Sequence, residues 1–230
     1  MSKHEFAEQR LSAVKQRIQS ACLASGRAQS EVTLIGASKK KEASLLRAFE
    51  SAGLKDLGEN YLQEAIVKQN DLNTLALTWH FIGSIQSNKT KQIAQHFNWV
   101  HGIDRFKIAQ RLANQNPHPH AIKALIQINP DHELSKAGVP LAEAAELADA
   151  IAQIDKLELH GFMMIPMPRD KQSEQRRVFA KAKELLETTN QQYGLNLKHL
   201  SMGMSGDLES AIAEGSTMIR IGTDLFGARA

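Results

Sequence analysis

Eight short apolar runs, separated by segments with helical patterning, constrain the fold of this chain more than any other feature. The runs are 32–39, 56–60, 79–83, 99–104, 124–129, 157–165, 200–204 and 218–223. Apolar runs that alternate with helices predict parallel βαβ units, and eight such units close a barrel. We therefore predict an α/β fold, a single (β/α)8 TIM-type barrel, with an extra amphipathic helix at 3–24.

An open, doubly wound sheet is the alternative to this barrel. Closure is favoured because the runs stop at eight and only residues 224–230 follow the last of them. The helix at 3–24 is then available to cover the strand that no later helix covers. A barrel of this type needs about 250 residues, so we expect the 230 residues to form one domain, 1–230.

The composition argues against nucleic acids and membranes as partners and indicates the cellular compartment. The net charge is +3 and the basic residues are scattered, so no nucleic-acid-binding stripe is predicted. No stretch approaches the ~20 apolar residues of a membrane span. Cys22 is the single cysteine, which excludes an internal disulfide and fits a reducing cytosol. We expect a cytoplasmic protein, and a monomer because no exposed apolar stripe is evident.

Polar residues recur where the predicted strands end. They are Ser38, Lys39, Glu59, Asn60, Asp104, Arg105, Asn129, Ser205, Asp207 and Thr223, and His80 lies within the third run. Functional groups of a TIM-type barrel gather at the carboxyl ends of its strands. The pattern therefore predicts a pocket lined with polar groups at that end.

Lys39 is the candidate with the clearest chemistry. Strand alternation puts Ile35, Ala37 and Lys39 on one face. Burial at a barrel mouth lowers the pKa of a lysine from about 10.4, and a neutral amine forms a Schiff base with an aldehyde. A solvated basic loop is the alternative that the residues leave open, because Lys40 and Lys41 follow directly.

Two segments predict a phosphate site. Ser205, Gly206 and Asp207 precede a predicted helix, and Gly222 and Thr223 end the last run. Glycine lets the backbone approach a ligand closely, Ser and Asp are good helix caps, and the loops after strands seven and eight form the usual phosphate site of this fold. A helix cap and a tight turn without a ligand are the alternative.

Three further residues have less specific patterns. Arg220 lies inside an apolar run, where a buried guanidinium needs an acceptor; a ligand ring nitrogen or a carboxylate such as Glu59 would serve. His80 is flanked by aromatic residues and is more typical of a core histidine than of a ligand contact. Met204 falls where it could touch a ligand. The histidines have no metal-ligand spacing, so no metal is predicted.

Taken together, the motifs resemble those of the pyridoxal phosphate homeostasis protein family. The matching segments are 36–39 (Gly-Ala-Ser-Lys), 58–61, 79–83, 86–89, 200–205, 215–217 and 220–223 (Arg-Ile-Gly-Thr). The resemblance extends from about residue 5 to Arg229. Two positions depart from the family pattern, Glu42, where proline is frequent, and Gly206, where a larger residue is frequent.

This resemblance implies a barrel like the N-terminal domain of alanine racemase. It implies pyridoxal 5′-phosphate (PLP) held covalently, as a Schiff base on Lys39. The other implied cofactor contacts are Asn60, His80, Ser205, Arg220, Gly222 and Thr223. Ser205, Gly222 and Thr223 correspond to phosphate contacts. Arg220 corresponds to an arginine near the pyridine ring.

Three functions fit these residues. The favoured one is a PLP carrier and buffer in vitamin B6 and amino-acid homeostasis, with PLP-dependent apo-enzymes as recipients. A PLP-dependent racemase is the second, but it needs acid and base groups on both faces of the substrate, and the chain has only Tyr61 and Tyr193. The third is a Schiff-base aldolase that acts on a sugar phosphate. We predict that the protein is not an enzyme.

Overall fold

The computed structural model describes residues 1–131 and 137–227. Residues 132–136 and 228–230, including the end of the predicted domain 1–230, lie outside the described residues. Eight of the described strands are parallel and form one ring. They are β1 (Thr33–Ala37), β2 (Asp56–Glu59), β3 (Thr78–Phe81), β4 (Trp99–Ile103), β5 (Ile122–Asn129), β7 (Leu157–Met164), β8 (His199–Ser201) and β9 (Met218–Ile221); a two-residue strand, β6 (Val139–Pro140), pairs with β5 outside the ring.

The ring is closed, as the eight runs predicted. The strand order is β4-β3-β2-β1-β9-β8-β7-β5, and a pairing between β4 and β5 joins the two ends. An open sheet would leave those two strands unpaired with each other, so the open-sheet alternative is wrong. The observed strands differ from the predicted runs only at their ends; β5, for example, starts at Ile122 rather than at residue 124.

Helices surround the ring on its outer side. They are α1 (Lys3–Ala24), α2 (Ala43–Ser51), α3 (Leu62–Asp71), α4 (Thr90–His96), α5 (Phe106–Gln115), α6 (Leu141–Ala152), α7 (Gln172–Tyr193), α8 (Leu208–Ala213) and α9 (Thr223–Phe226). Short 3₁₀ turns occupy Gln29–Glu31 and Ser87–Lys89. The segment after β9 thus forms a short helix, where the sequence indicated only a tail.

The predicted N-terminal helix is confirmed with its expected bounds. Ser2 and Glu5 form a capping box at its start, and Gly26 takes a left-handed φ of 65° just after its end. One face of α1 buries Leu11, Val14 and Ile18 and packs against α2, α8 and α9. The helix therefore covers the side of the barrel where the first and last strands meet.

Two apolar layers hold the barrel together. The larger one lies between the strands and the helices. The smaller one fills the interior of the ring and contains Ile35, Trp99, Leu125, Met163 and Met218. Because this inner layer is small, polar side chains occupy much of the remaining interior.

Close backbone contact brings three of the strand ends together. A Cβ atom on Gly83 would lie 2.5 Å from the carbonyl oxygen of Asn60, and one on Gly102 would lie 2.4 Å from that of Gly83. No other residue type fits at these distances without moving the backbone. The two glycines thus fix the segments after β2 and β3 against each other and against β4.

Candidate functional site

The carboxyl ends of β1 and β9 lie side by side. Gly36 pairs with Ile221, and a Cβ atom on Gly222 would lie 3.5 Å from the carbonyl oxygen of Ala37. The turn that begins at Gly222 therefore adjoins the strand end that leads into Lys39. This is the juxtaposition that a Schiff-base lysine and a phosphate turn require.

Lys39 is half-buried in the turn that follows β1. Ser38 faces the outer side of the sheet, where its hydroxyl bonds to Glu59, whereas Ile35 packs inside the ring. Among residues 1–131 and 137–227, no group forms a hydrogen bond or ion pair with the Lys39 ammonium. Lys40 is exposed and has a left-handed φ of 59°.

Behind this turn, on the outer face of the sheet, lies a group of four residues that we call the outer cluster: Ser38, Glu59, Glu64 and Lys68. Lys68 Nζ donates to the carbonyl oxygen of Ser38, to Glu59 Oε1 and to Glu64 Oε1, each at 2.6 Å. Ser38 Oγ donates to Glu59 Oε1 at 2.7 Å. One lysine thus links a strand end, a second strand and a helix.

The outer cluster forms hydrogen bonds with the backbone on both sides of Lys39. Lys68 binds the Ser38 carbonyl, and Glu64 accepts the backbone N–H of Lys40. Lys68 is 5% exposed and Glu59 is fully buried, with Glu59 Oε2 unpaired. Burial raises the pKa of Glu59, although the bonds from Lys68 oppose the shift. The cluster therefore fixes the direction in which Lys39 leaves β1.

Ser205, in the loop after β8, and Thr223, the first residue of α9, lie in segments that contact each other. The backbone N–H of Asp224 lies 3.4 Å from Ser205 Oγ, Thr223 is exposed, and Ser205 and Gly222 are partly exposed. A Cβ atom on Gly206 would meet no heavy atom within 4 Å. The geometry brings together the residues that the sequence assigned to a phosphate site and leaves open space beside them.

Arg17 of α1 binds both of these segments from the outer side of the barrel. Its guanidinium donates to the carbonyl oxygen of Ser205 at 3.0 Å and to Glu209 Oε1 at 2.8 Å, and it also pairs with Asp224. Glu209 belongs to α8 and Asp224 to α9. The N-terminal helix therefore supports the site as well as covering the barrel.

The predicted cap of the helix after β8 is wrong in its detail. Asp207 occupies the N-cap position of α8, but neither it nor Ser205 makes a capping bond to that helix. Asp207 Oδ1 instead accepts the backbone N–H of Met204 at 2.6 Å. The carboxylate closes the loop on itself, and it holds Met204, which is 36% exposed, at the loop surface.

Arg220 is 3% exposed inside the barrel. Its Nη1 donates to Ser201 Oγ at 2.7 Å and its Nη2 to the carbonyl oxygen of Met164 at 2.9 Å. Burial lowers the pKa of Arg220 to about 10, and nearby Asp207 opposes the shift. Glu59, suggested as an acceptor by the sequence, faces the opposite side of the sheet with Lys68 and does not meet Arg220.

His80 lies on β3 inside the barrel, and Asn60 follows the neighbouring strand β2. His80 is 1% exposed; its Nε2 lies 3.0 Å from Asp56 Oδ1 and its Nδ1 3.0 Å from His101 Nε2. It has the satisfied contacts of a core histidine. Asn60, at the end of β2, lines a cleft of about 490 Å³ together with Gly83 and Lys89. Neither contacts Lys39 directly.

Several important residues were not found from the sequence. The contacts that hold the site are made by residues that resemble ordinary surface or core residues in the sequence. They are Arg17, Asp56, Glu64, Lys68 and His101. The four-residue spacing of Glu64 and Lys68 on one helix was a usable signal. The others depend on tertiary contacts between distant segments.

No metal centre is evident in the described part of the chain, where no group of three or more His, Cys, Asp or Glu side chains is arranged to hold an ion. The same residues contain no helix with the length and apolar character needed to cross a membrane.

The closed parallel barrel and a family match together define the class of this protein. The profile of the family "Alanine racemase, N-terminal domain" matches residues 11–230. The protein is therefore a barrel of the alanine racemase N-terminal type.

Two relatives of known name identify the family within this class. The chain is 50% identical over 217 residues to the pyridoxal phosphate homeostasis protein of Pseudomonas aeruginosa, covering 94% of this chain and 93% of that one. It is 44% identical over 228 residues to that of Escherichia coli, covering 95% of both. The chain belongs to the pyridoxal phosphate homeostasis protein family, as its motifs indicated.

A solved relative agrees with the fold. PipY of Synechococcus elongatus, in a structure described as having PLP bound, is 36% identical to the chain with a TM-score of 0.83; the match covers 96% of this chain and 100% of PipY.

Proposed function

We propose that this protein binds PLP as a Schiff base on Lys39 and carries or buffers the cofactor, rather than turning over a substrate with it. The observation that carries the proposal is the position of Lys39. The residue is half-buried, its amine has no partner among the described residues, and it follows a strand end that adjoins the Gly222 turn. Relatives named as PLP homeostasis proteins support the same function.

The remaining site residues fit PLP. PLP supplies an aldehyde, a pyridine ring and a phosphate dianion. Ser205, Gly222 and Thr223 would hold the phosphate, and Arg220 would face the ring. Lys39 Nζ would form a C=N bond to the aldehyde carbon with the loss of one water molecule. Asn60 and Met204 complete the proposed set of contacts, and His80, whose two ring nitrogens are bonded to His101 and Asp56, is left outside it.

A carrier is favoured over an enzyme because a racemase needs acid and base groups on both faces of its substrate, and in the described part of the chain neither tyrosine is buried. Tyr61 is 54% exposed, and Tyr193 ends α7 on the outer layer. Arg220, a cation even when buried, disfavours protonation of a ring nitrogen beside it and so weakens the ring as an electron sink. These residues support binding and release rather than turnover.

We also propose that the protein works as a cytoplasmic monomer that delivers PLP to apo-enzymes. The free, buried thiol of Cys22 fits a reducing compartment.

The test is an absorbance titration of purified protein with PLP. We expect a Schiff-base band in the unaltered protein and in Lys40→Ala, the matched control. Lys39→Ala should lack that band yet retain weak, phosphate-dependent binding, because the proposed phosphate contacts Ser205, Gly222 and Thr223 are unchanged. A Schiff-base band of full intensity in Lys39→Ala would refute the proposal, and rapid turnover of an amino acid would favour the racemase.

A further inference from the structure

A continuous chain of hydrogen bonds crosses the interior of the barrel and ends at Arg220. We call it the inner chain; its members are Asp56, His80, His101, Ser201 and Arg220. The distances are 3.0 Å from Asp56 Oδ1 to His80 Nε2, 3.0 Å from His80 Nδ1 to His101 Nε2, 2.9 Å from His101 Nδ1 to Ser201 Oγ, and 2.7 Å from Ser201 Oγ to Arg220 Nη1. Every link has hydrogen-bond geometry.

The two ends of the chain lie in different surroundings. Asp56 begins β2 and its side chain is 25% exposed; it lines a surface cleft of about 460 Å³. Between Asp56 and Arg220, His80 is 1% exposed and His101 and Ser201 are fully buried. A carboxylate at the amino-terminal end of the barrel is thus linked to a guanidinium that lies three residues before Thr223.

The identities of the groups fix the direction of every hydrogen bond. Burial lowers the pKa of His80 and lowers that of His101 well below its usual value, so each ring is neutral at pH 7 and carries one N–H. The Asp56 carboxylate only accepts, so His80 donates from Nε2 and accepts at Nδ1. His101 must then donate from Nε2, and its Nδ1 accepts from the Ser201 hydroxyl.

This direction stabilises Arg220. In the order just derived, the Ser201 hydroxyl and both rings turn their acceptor atoms toward Arg220 and their N–H or O–H groups toward Asp56. The dipoles are therefore aligned between a cation and an anion. Trp99 stacks on His80 with an interplanar angle of 9° and restrains that ring. Ser201, kept as an acceptor, fixes one edge of the guanidinium, and the Met164 carbonyl fixes another.

We infer that Asp56, His80, His101 and Ser201 are positioning residues, which act as one directional chain to orient Arg220 toward the ring of bound PLP. The inference rests on the proposed function. The four residues act on the cofactor only through Arg220, which Ser201 contacts directly. Replacing one of them should therefore change the dissociation constant for PLP only as far as Arg220 itself contributes to PLP binding.

The first test needs no cofactor. Long-range ¹H–¹⁵N NMR spectra of the ligand-free protein report which ring nitrogen of a histidine carries the proton. We expect Nε2–H on both His80 and His101, without titration between pH 6 and 8. A proton on Nδ1 of either ring, or titration near 6.5, would overturn the assigned direction.

The second test is a double-mutant cycle on the dissociation constant for PLP. Ser201→Ala should weaken binding by ~5-fold, and its effect should fall below ~2-fold in an Arg220→Lys background, because coupled residues are not additive. Ser216→Ala, which removes a hydroxyl that is also fully buried but bonds to Met202, is the control and should change binding by less than ~2-fold. Equal effects of Ser201→Ala in both backgrounds would refute the positioning role.

Two provisions distinguish failure of this inference from a folding defect and from failure of the proposed function. If Ser201→Ala does not fold, Asp56→Ala at the accessible end takes its place in the cycle, and its effect on PLP binding should likewise shrink in the Arg220→Lys background; equal effects in both backgrounds would contradict the inference. If the unaltered protein binds no PLP, the proposed function fails together with the cofactor part of this inference, whereas the NMR result still decides the direction of the chain.

Discussion

The outer cluster and the inner chain lie on opposite faces of the same sheet and hold their target residues by different means. The outer cluster surrounds one cation, Lys68, with two carboxylates and binds the backbone around Lys39. The inner chain separates its two charges by neutral rings and a hydroxyl, and binds the side chain of Arg220. Within residues 1–131 and 137–227 the Lys39 amine thus has no hydrogen-bond partner, whereas Arg220 is restrained at its guanidinium.

The difference has an energetic consequence. A buried cation among carboxylates is costly to disturb, because removing it leaves an uncompensated buried charge. Removing one member of a neutral hydrogen-bond chain lowers the free energy of unfolding by less, since the net contribution of each bond is about 1 kcal/mol. The two networks should therefore respond differently to substitution and to pH.

The largest effect is expected for Lys68→Met. The substitution keeps the apolar stem but leaves Glu59 and Glu64 without their cation, and we expect the free energy of unfolding to fall by ~3–5 kcal/mol. Urea denaturation measures it. Lys183→Met, which removes an exposed partner of Glu187 on α7, should cost less than ~1 kcal/mol. Equal losses for the two variants would contradict the structural role of Lys68.

A smaller effect is expected for Glu59→Gln. The amide oxygen can still accept from Lys68 and Ser38, and Glu59 Oε2 has no partner to lose. We expect a loss of ~1–2 kcal/mol in the same urea experiment. A loss as large as that of Lys68→Met would mean that the charge of Glu59, rather than its acceptor atom, dominates the outer cluster.

The smallest effects concern pH, and the two networks should have opposite signs. The folded-state pKa values of His80 and His101 are lowered by burial, so the unfolded chain binds more protons below pH ~6.5 and stability falls as the pH falls below that value. The pKa of Glu59 is raised by burial, so its contribution is present at low pH and is lost as the pH rises through the folded value.

Thermal unfolding between pH 4 and 7 separates these contributions. His101→Gln should flatten the rise in stability toward pH 6.5, and Glu59→Gln should steepen it. His4→Gln, in an exposed i,i+4 pair with Glu8, is the control and should leave the slope unchanged. The same slope in all four proteins would show that neither buried network titrates differently from the unfolded chain.

Much of the fold could be predicted from the sequence because its information is local. Apolar runs of strand length between helical segments specify βαβ units, and the number eight specifies closure. The helix Lys3–Ala24 was predicted to the residue because an apolar stripe and the following Gly26 mark it. The helix Thr223–Phe226 was missed because four residues carry too little periodicity.

The candidate site was predictable where a residue type has a distinctive chemistry. Lys39, Ser205, Gly222 and Thr223 stand at strand ends, and the structure brings their segments together. The residues that support them were not predictable, because the bond from Lys68 to the Ser38 carbonyl joins residues thirty positions apart, and His101 meets Ser201 across half of the barrel. Such contacts depend on the closed ring rather than on local pattern.

Chemical trapping of the Schiff base is the most direct measurement of the central claim. Protein loaded with PLP is reduced with borohydride, cleaved after glutamate to release the peptide 32–42, and sequenced by mass spectrometry. We predict a pyridoxyl phosphate group on Lys39 alone. The group on Lys40, Lys41 or Lys89 instead, or no modified peptide from protein that binds PLP, would contradict the assignment of Lys39.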